Sequence, residues 1–513
     1  MDAIILGGGH NGLVAAAYLA EAGLKVLLLE RRPLLGGACA TEELFPGYRF
    51  SACSYLCYLL QNKVIDDLRL RDYGFEVLPI DPWRFVPFPD GERLLFWDDV
   101  ARTQEEIGRF SRRDAASYPN WIAFWRQAAG LMHRYFLRPP PTNEEALAAV
   151  RGTPDEAFLA RLRVLSMREV VNEFFESERV RAALIHAHDV GDVSAPGSAW
   201  CYAYIKCTMF SRPENVGLVR GGMGGITQAL AKSAEARGAV LRTGVGVQRI
   251  LVEDGCAIGV LLTDGTEARS RVVLSNADPK RTFLSLIKPE DLPAEFAGRI
   301  GRLKTQAGYF KFHAALKGVP DFSAYFPPGG FDPKVLAEVK ICPSVEYYER
   351  SWRDALVGEP AREPVMEVQM PSGYDASMAP PGHHVLSIWG LYAPVKLRRG
   401  NWADRRRECG ERLIDTLANY APNLREIIVD WSLFTPADLE ERVALTDGNI
   451  RHLDMVPDQM LDQRPMAQWA HYRTPIKGLY LCGAGTHPGG EVTGAPGHNA
   501  AAVVLEDLGR QRA

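Results

Sequence analysis

Residues 2–30 read DAIILGGGHNGLVAAAYLAEAGLKVLLLE, and this stretch decides the fold. Residues 2–6 are a short apolar run, as a strand buried on both faces requires. Gly7 to Gly12 form a glycine turn. Residues 12–22, rich in small side chains, predict a helix that Gly23 ends. Residues 25–30 are a second apolar strand. Strand, turn, helix and strand in this order make a βαβ unit with parallel strands.

The turn carries Gly7-x-Gly9-x-x-Gly12. Gly7 permits the sharp turn, Gly9 lets backbone approach a pyrophosphate, and Gly12 lets helix and strand pack closely. The helix N-terminus behind the loop favours negative charge. His10 and Asn11 lie inside the loop and are read as supporting it. Glu30 ends the second strand, 18 residues past Gly12. A carboxylate there accepts hydrogen bonds from ribose hydroxyls and repels a 2′-phosphate. A dinucleotide is implied, with FAD and NAD both open. Gly36-Gly37 again let backbone amides approach a phosphate or ribityl chain, or make a plain turn.

Outward from this unit the chain changes character. Residues 60–200 are dominated by amphipathic stretches, such as 121–137 and 168–188, with a proline loop at 138–142. The aromatics of 121–137 and the run WCYAYIKCTMF at 200–210 read as core filling or as a substrate wall. Residues 216–290 return to α/β. A strand at 216–220 meets GGMGG at 221–225, and a helix runs to Arg237. This loop fails as a second dinucleotide site, because Thr227 stands where the third glycine belongs. A strand over 239–250 follows, then Asp254-Gly255 and Asp264-Gly265, which predict hairpins, and a strand at 271–275. Residues 290–470 mix strand-like runs (YFKFHAAL, PVMEVQM, HHVLSIWGLY) with loops.

The last element begins with a strand at 478–482. It feeds Cys482-Gly-Ala-Gly-Thr-His-Pro-Gly-Gly-Glu-Val-Thr-Gly494 and a helix from about 497 to 508. A glycine turn at a helix N-terminus suits a flavin ring, since the dipole stabilises negative charge on the reduced form. Within it, His487 either holds the turn by hydrogen bonds or moves protons.

Composition narrows the function. The chain has 513 residues, 47% hydrophobic and 24% charged, and a formal net charge of −4. No basic face is implied, so nucleic acid is excluded as an expected partner. The nine cysteines form no C-x-x-C pair, which points to reduced thiols and a cytoplasmic setting. No run of apolar residues is long enough to span a membrane, and the first strand starts too early to leave room for a signal peptide. His186 and His188 have no further metal-type ligands at helical spacing, so no metal is expected. His383 and His384 are read as strand residues facing opposite sides.

These segments together resemble the FAD-dependent amine oxidase and phytoene desaturase superfamily. GAGTHPGG resembles the bacterial phytoene desaturase signature. LGGGHNGLVAAAYLAEAG, ERRPLLGGACATEELFPGYRFSACSYL, RGGMGGITQAL, DGTEARSRVVLSNADP and YLCGAGTHPGGEVTGAPGHNAA are similar to the branch named for the pyridine nucleotide-disulfide oxidoreductase domain-containing protein 2.

The resemblance implies an α/β protein: a discontinuous Rossmann-type FAD-binding domain (1–75, 212–290 and 470–513) and a mixed α+β substrate domain (76–211 and 291–469). Gly7, Gly9 and Gly12 resemble the family's pyrophosphate contacts, Glu30 its ribose ligand, and Arg32, Gly36 and Gly37 its second phosphate-side motif. Val247 sits in the strand whose backbone meets adenine in relatives. Gly485 resembles the ribityl contact, Val492 the residue facing the flavin pyrimidine edge, and Gly483 and Gly494 bracket that turn.

The desaturase signature prefers glycine where this chain has Glu491, which is read as an acid or base, a substrate anchor or a surface residue. The implied reaction is FAD-dependent desaturation or isomerisation of an apolar, carotenoid- or isoprenoid-like molecule. A quinone or oxygen would accept the electrons, and membrane contact would be peripheral at most. Amine or amino-acid oxidation, and an FAD-binding interaction protein, are the alternatives.

Overall fold

The computed structural model describes residues 1–186 and 191–509. Five parallel strands form one sheet, in the order Leu479–Leu481, Val273–Ser275, Ala3–Leu6, Val26–Leu29 and Val240–Arg242. Alternation splits the first strand between two cores. Ala3 and Ile5 point to the helices His10–Glu21, Gly224–Ala236 and Ala495–Asp507. Ile4 and Leu6 point to a three-stranded antiparallel sheet, Val247–Glu253, Cys256–Leu262 and Glu267–Arg269. The helices come close because glycines allow it: a Cβ on Gly497 would lie 2.1 Å from the Asn11 carbonyl oxygen.

The expected strand over 239–250 is two strands. Val240–Arg242 closes the parallel sheet, the chain turns through Gly244 (φ 70°), and Val247 opens the antiparallel sheet. The left-handed backbone at Gly244 interrupts the extended run. Both Asp-Gly pairs turn hairpins, the first with Asp254 and Gly255 at φ 49° and 70°.

A seven-stranded sheet forms the second body. Its order is Ile428–Phe434, Gly308–Leu316, His384–Ala393, Val365–Gln369, Val339–Ile341, Arg84–Pro87 and Arg93–Phe96. The last two strands come from a stretch that reads as helical; Asp90-Gly91, with Gly91 at φ 86°, joins them as a hairpin. One face carries Phe310, Phe312, Met366 and Ile388 in an apolar core with the helix Trp402–Ala418. The other face looks toward the helical layer and the parallel-sheet body. It bears Tyr309, Lys311 and His313 beside Ser387 and Trp389, then Glu367 and Gln369.

The aromatic stretch 121–137 lies mostly in the helix Arg112–His133. Trp121, Phe124, Trp125 and Met132 are buried in the largest apolar cluster with Trp200, Tyr202 and Tyr204. These residues fill the core. Cys53 and Cys57 do not lie on a helix, and both are buried.

Candidate functional site

The first glycine loop is a backbone cradle. A Cβ on Gly12 would sit 2.2 Å from the Gly7 carbonyl oxygen, and one on Gly9 would sit 2.9 Å from Asn276 Nδ2. Gly7 itself has φ 97°. Asn276, at the end of the neighbouring strand, donates to the Gly7 carbonyl (3.2 Å) and fixes the loop from below. The helix His10–Glu21 has no side-chain cap and no acid in its first turn. Its N-terminal field is therefore available to an anion.

Glu30 is buried and accepts hydrogen bonds from the Gly8 amide at Oε2 and the Arg32 amide at Oε1, both 2.8 Å. Those two bonds aim the carboxylate, whose remaining lone pairs suit ribose hydroxyls. The Arg32 side chain turns instead to Glu42 (2.7 Å), leaving its Nη1 buried without a partner. Gly36 pairs with Gly9 across a parallel bridge, and its amide donates to the Gly8 carbonyl (2.8 Å). A Cβ on Gly36 would meet Thr227 Oγ1 at 2.9 Å, so the second glycine segment buttresses the first. Val247 opens the antiparallel sheet just after Val245, whose amide bonds to the Glu30 carbonyl (2.9 Å).

The C-terminal turn closes over this cradle. Gly483 and Gly485 admit no side chain: a Cβ would meet the Asn276 carbonyl oxygen at 2.8 Å and Pro279 at 2.4 Å respectively. Gly490 is equally tight against Arg451 (2.3 Å). Gly494, at φ 71°, caps the final helix without a side-chain cap bond. Glu491 and Val492 reach a cavity that His10, Cys39, Cys53, Tyr55, Tyr58, Trp389 and Arg451 also line. Glu491 is no free surface carboxylate. Its Oε1 accepts from Arg451 Nε (3.0 Å) and its Oε2 from the Tyr58 hydroxyl (2.7 Å).

His487 is a second polar side chain of this turn. It does not line the cavity; Nε2 bonds to the Tyr135 carbonyl (2.7 Å) and ties the turn to the helical layer. Burial pushes its pKa down to about 4, which favours the neutral imidazole at neutral pH. His10 is likewise pushed down to about 4 by burial and then by His452, and its Nε2 is buried without a partner. His313 bonds Ser387 Oγ (2.9 Å) and the Ala52 carbonyl (3.1 Å), away from any metal cluster. His188 lies outside the described residues.

Sequence reading missed the residues that come from the seven-stranded sheet and its neighbours. Tyr55 lies in the family-like segment 30–56 and Tyr58 just beyond it, but only the fold shows them at the cavity. Trp389, Arg451 and Lys311 had no local signal. Among the described residues, no three His, Cys, Asp or Glu side chains are placed to hold a metal.

A glycine cradle at one helix N-terminus, an aimed carboxylate and a second glycine turn at another helix define a dinucleotide-binding flavoprotein. The buried, partnerless His10 Nε2 and the spaces a Cβ would fill fit FAD. The chain belongs to the flavin containing amine oxidoreductase family, which it matches over residues 12–505. It is 36% identical to pyridine nucleotide-disulfide oxidoreductase domain-containing protein 2 of Mus musculus, over 99% of this chain and 94% of that one. It is 30% identical to a limonene dehydrogenase subunit of Castellaniella defragrans (99% and 95%). It is 26% identical to a lycopene-forming phytoene desaturase of Pseudescherichia vulneris (98% and 99%).

Among solved structures, an oxidoreductase from Methanosarcina mazei shares the fold (TM-score 0.61, 18% identity, 99% and 100% covered). The protein is an FAD-dependent oxidoreductase. No helix among the described residues is long and apolar enough to cross a membrane.

Proposed function

We propose that this chain desaturates or isomerises a largely apolar, isoprenoid-like small molecule. The observation that carries the reading is the placement of Arg451. Its guanidinium lies 5.3 Å from the ring centre of Trp389 and 5.6 Å from that of Tyr309. Aromatic faces that would hold a substrate ammonium are thus already taken by the protein's own cation. The names of two relatives, a limonene dehydrogenase subunit and a phytoene desaturase, support the same choice.

Bound FAD would supply a hydride acceptor. Gly7, Gly9, Asn11, Gly12 and Glu30 would hold its adenine-side half, with Val247 near the adenine. Arg32, Gly36, Gly37, Gly483, Gly485, Val492 and Gly494 would hold the rest. Tyr55 and Trp389, which line the cavity, would present apolar ring edges to the substrate and exclude water. Glu491 would fix Arg451 and Tyr58 at the cavity wall. Its carboxylate would be the group nearest to hand for a released proton. Electrons would pass to a quinone or to oxygen, and substrate would be collected by peripheral contact with a membrane.

The test is anaerobic reduction of the FAD-loaded protein by isoprenoid-containing lipid extracts and by a panel of amines. Bleaching by the extracts alone is expected. Bleaching by amines alone would overturn the proposal in favour of amine oxidation.

A further inference from the structure

The helix Val345–Leu356 has two different sides. Inward, Tyr348 and Trp352 pack on Tyr392, with ring centres 6.0 and 5.0 Å away. Tyr392 lies 5.9 Å from Tyr309, and Tyr309 lies 4.8 Å from Trp389, which lines the cavity. The helix therefore backs the aromatic wall of the site. Outward, the chain leaves it through Leu356 and Val357, 57% and 58% exposed. Single exposed aliphatic side chains are ordinary on a protein surface. Among the described residues, these are the only two large apolar side chains more than half exposed that adjoin in the chain.

The pair is held beside a second feature. Gly358, at φ 79°, turns the chain out of the helix, and its carbonyl accepts from the Arg398 amide (2.8 Å). A Cβ on Gly358 would lie 2.7 Å from that amide nitrogen and 3.0 Å from the Arg398 Cβ, so the loop 394–400 is pressed against the helix end. This loop reads PVKLRRG. Lys396, Arg398 and Arg399 are exposed, with half-buried Leu397 between them, and none of the three has an acid partner among the described residues. Acids on the flanking segments are engaged elsewhere: Glu359 by Arg405 (3.8 Å), Asp354 by Arg362 (2.9 Å) and Asp404 by Asn401 (2.7 Å). Three cations within four residues thus stand unbalanced on a chain whose formal net charge is −4.

An exposed aliphatic pair beside unpaired cations matches one kind of surface. Acyl chains take up the apolar side chains while anionic headgroups meet the cations. A folded acidic partner would need a pocket shaped for the pair; a bilayer needs none.

We propose that the face made by Leu356, Val357 and the loop 394–400 docks this protein on an anionic lipid bilayer. The proposal rests on the reading that the molecule acted on is apolar and collected at a membrane, and it names the surface that meets the lipid. Docked this way, the helix that backs the cavity wall is the element next to the bilayer.

The test is co-sedimentation of the FAD-loaded protein with vesicles of phosphatidylcholine alone and of phosphatidylcholine mixed with phosphatidylglycerol. Three cations near a charged surface are worth about a hundredfold in partitioning at low salt, so the mixed vesicles should bind about that much more strongly. High salt should erase the difference. Lys396→Ser, Arg398→Ser and Arg399→Ser together should bring binding to the mixed vesicles down to the level of the neutral ones. Leu356→Ser with Val357→Ser should weaken binding to both kinds of vesicle about tenfold. A control variant with Lys25→Ser, Arg49→Ser and Lys232→Ser, exposed cations elsewhere on the chain, should bind within about twofold of the parent. All these side chains are exposed, so every variant should keep its FAD and melt close to the parent.

Equal binding to the two kinds of vesicle, no loss in the loop variant, or as large a loss in the control variant would overturn the docking face. Flavin reduction by detergent-dispersed isoprenoids is read without vesicles, so the apolar-substrate reading stands or falls separately.

Discussion

The two sheets of this molecule bury opposite kinds of face. The parallel sheet sends Ala3, Ile5, Val26 and Leu28 to one core and Ile4, Leu6, Leu27 and Leu29 to the other. Its chemistry sits in the loops beyond its strand ends, where glycine amides and one aimed carboxylate gather. The seven-stranded sheet has one such apolar face. The other carries Lys311, Lys340, Glu338, Glu367, Gln369 and His313, all buried. The glycine-loop end is therefore made of backbone and the polar face of the second sheet of side chains. A site made of backbone tolerates no added atom, whereas a site made of buried charges tolerates no lost partner.

The first half of that contrast breaks most visibly at Gly12. Gly12→Val places a branched side chain where a Cβ already lies 2.2 Å from the Gly7 carbonyl oxygen. The loop must open, and the purified variant should lose its FAD altogether while keeping its helical content by circular dichroism. Full retention of yellow flavin would show that the loop does not carry the pyrophosphate.

The second half is tested at the Arg84–Glu338 pair. Glu338→Gln removes the carboxylate that Arg84 forks onto and leaves it Glu367, 3.8 Å away, as its counter-charge. Losing the charged hydrogen bonds should cost about 1.5–3 kcal/mol in denaturant unfolding. Replacing both partners with apolar residues should restore most of that loss. A single variant within about 0.5 kcal/mol of the parent would mean the polar face is wetter than the structure shows.

This contrast also decides what the sequence disclosed. The βαβ unit, both Asp-Gly hairpins and the C-terminal glycine turn were legible, because turn chemistry and period are local. The hairpin at Asp90-Gly91 carried the same signal but was submerged in a stretch dominated by helical periodicity. Glu491 stood out in the sequence as a departure from a glycine, yet its partners were invisible: Tyr58 is 433 residues away in the chain and Arg451 is 40. Lys311 had no signal at all, since a lysine in a strand ordinarily reads as a solvent-facing position.

At the seam between the two bodies the effect should be smaller. Glu491→Gln keeps the shape of the side chain but removes the charge that holds Arg451 and accepts from Tyr58. Loss of a charged hydrogen bond is worth about 1.5–3 kcal/mol, so flavin reduction by substrate should slow about ten- to a hundredfold. FAD affinity should stay within a few-fold. An unchanged rate of reduction would make Glu491 a mere prop of the turn.

The smallest effect expected is none, and it comes from the second glycine loop. Residues 221–225 also join a strand to a helix, so they invite comparison with Gly7–Gly12. Their amides are already spent: Gly221 donates to Asp375 Oδ2 (2.6 Å), Met223 to Ser51 Oγ (3.0 Å) and Gly224 to Thr41 Oγ1 (2.9 Å). A Cβ on Gly222 would lie 2.5 Å from Thr41 Oγ1, so the glycines here make room for the protein itself. Asp375 also sets a carboxylate where a nucleotide phosphate would approach, and like charges at hydrogen-bond range repel. No second dinucleotide can dock in this loop as built. NADH or NADPH mixed with the FAD-loaded protein without air should leave the flavin oxidised for as long as substrate takes to bleach it. Rapid stoichiometric bleaching by either nucleotide would show that electrons enter by a route other than the cavity lined by Tyr55, Tyr58, Trp389 and Glu491.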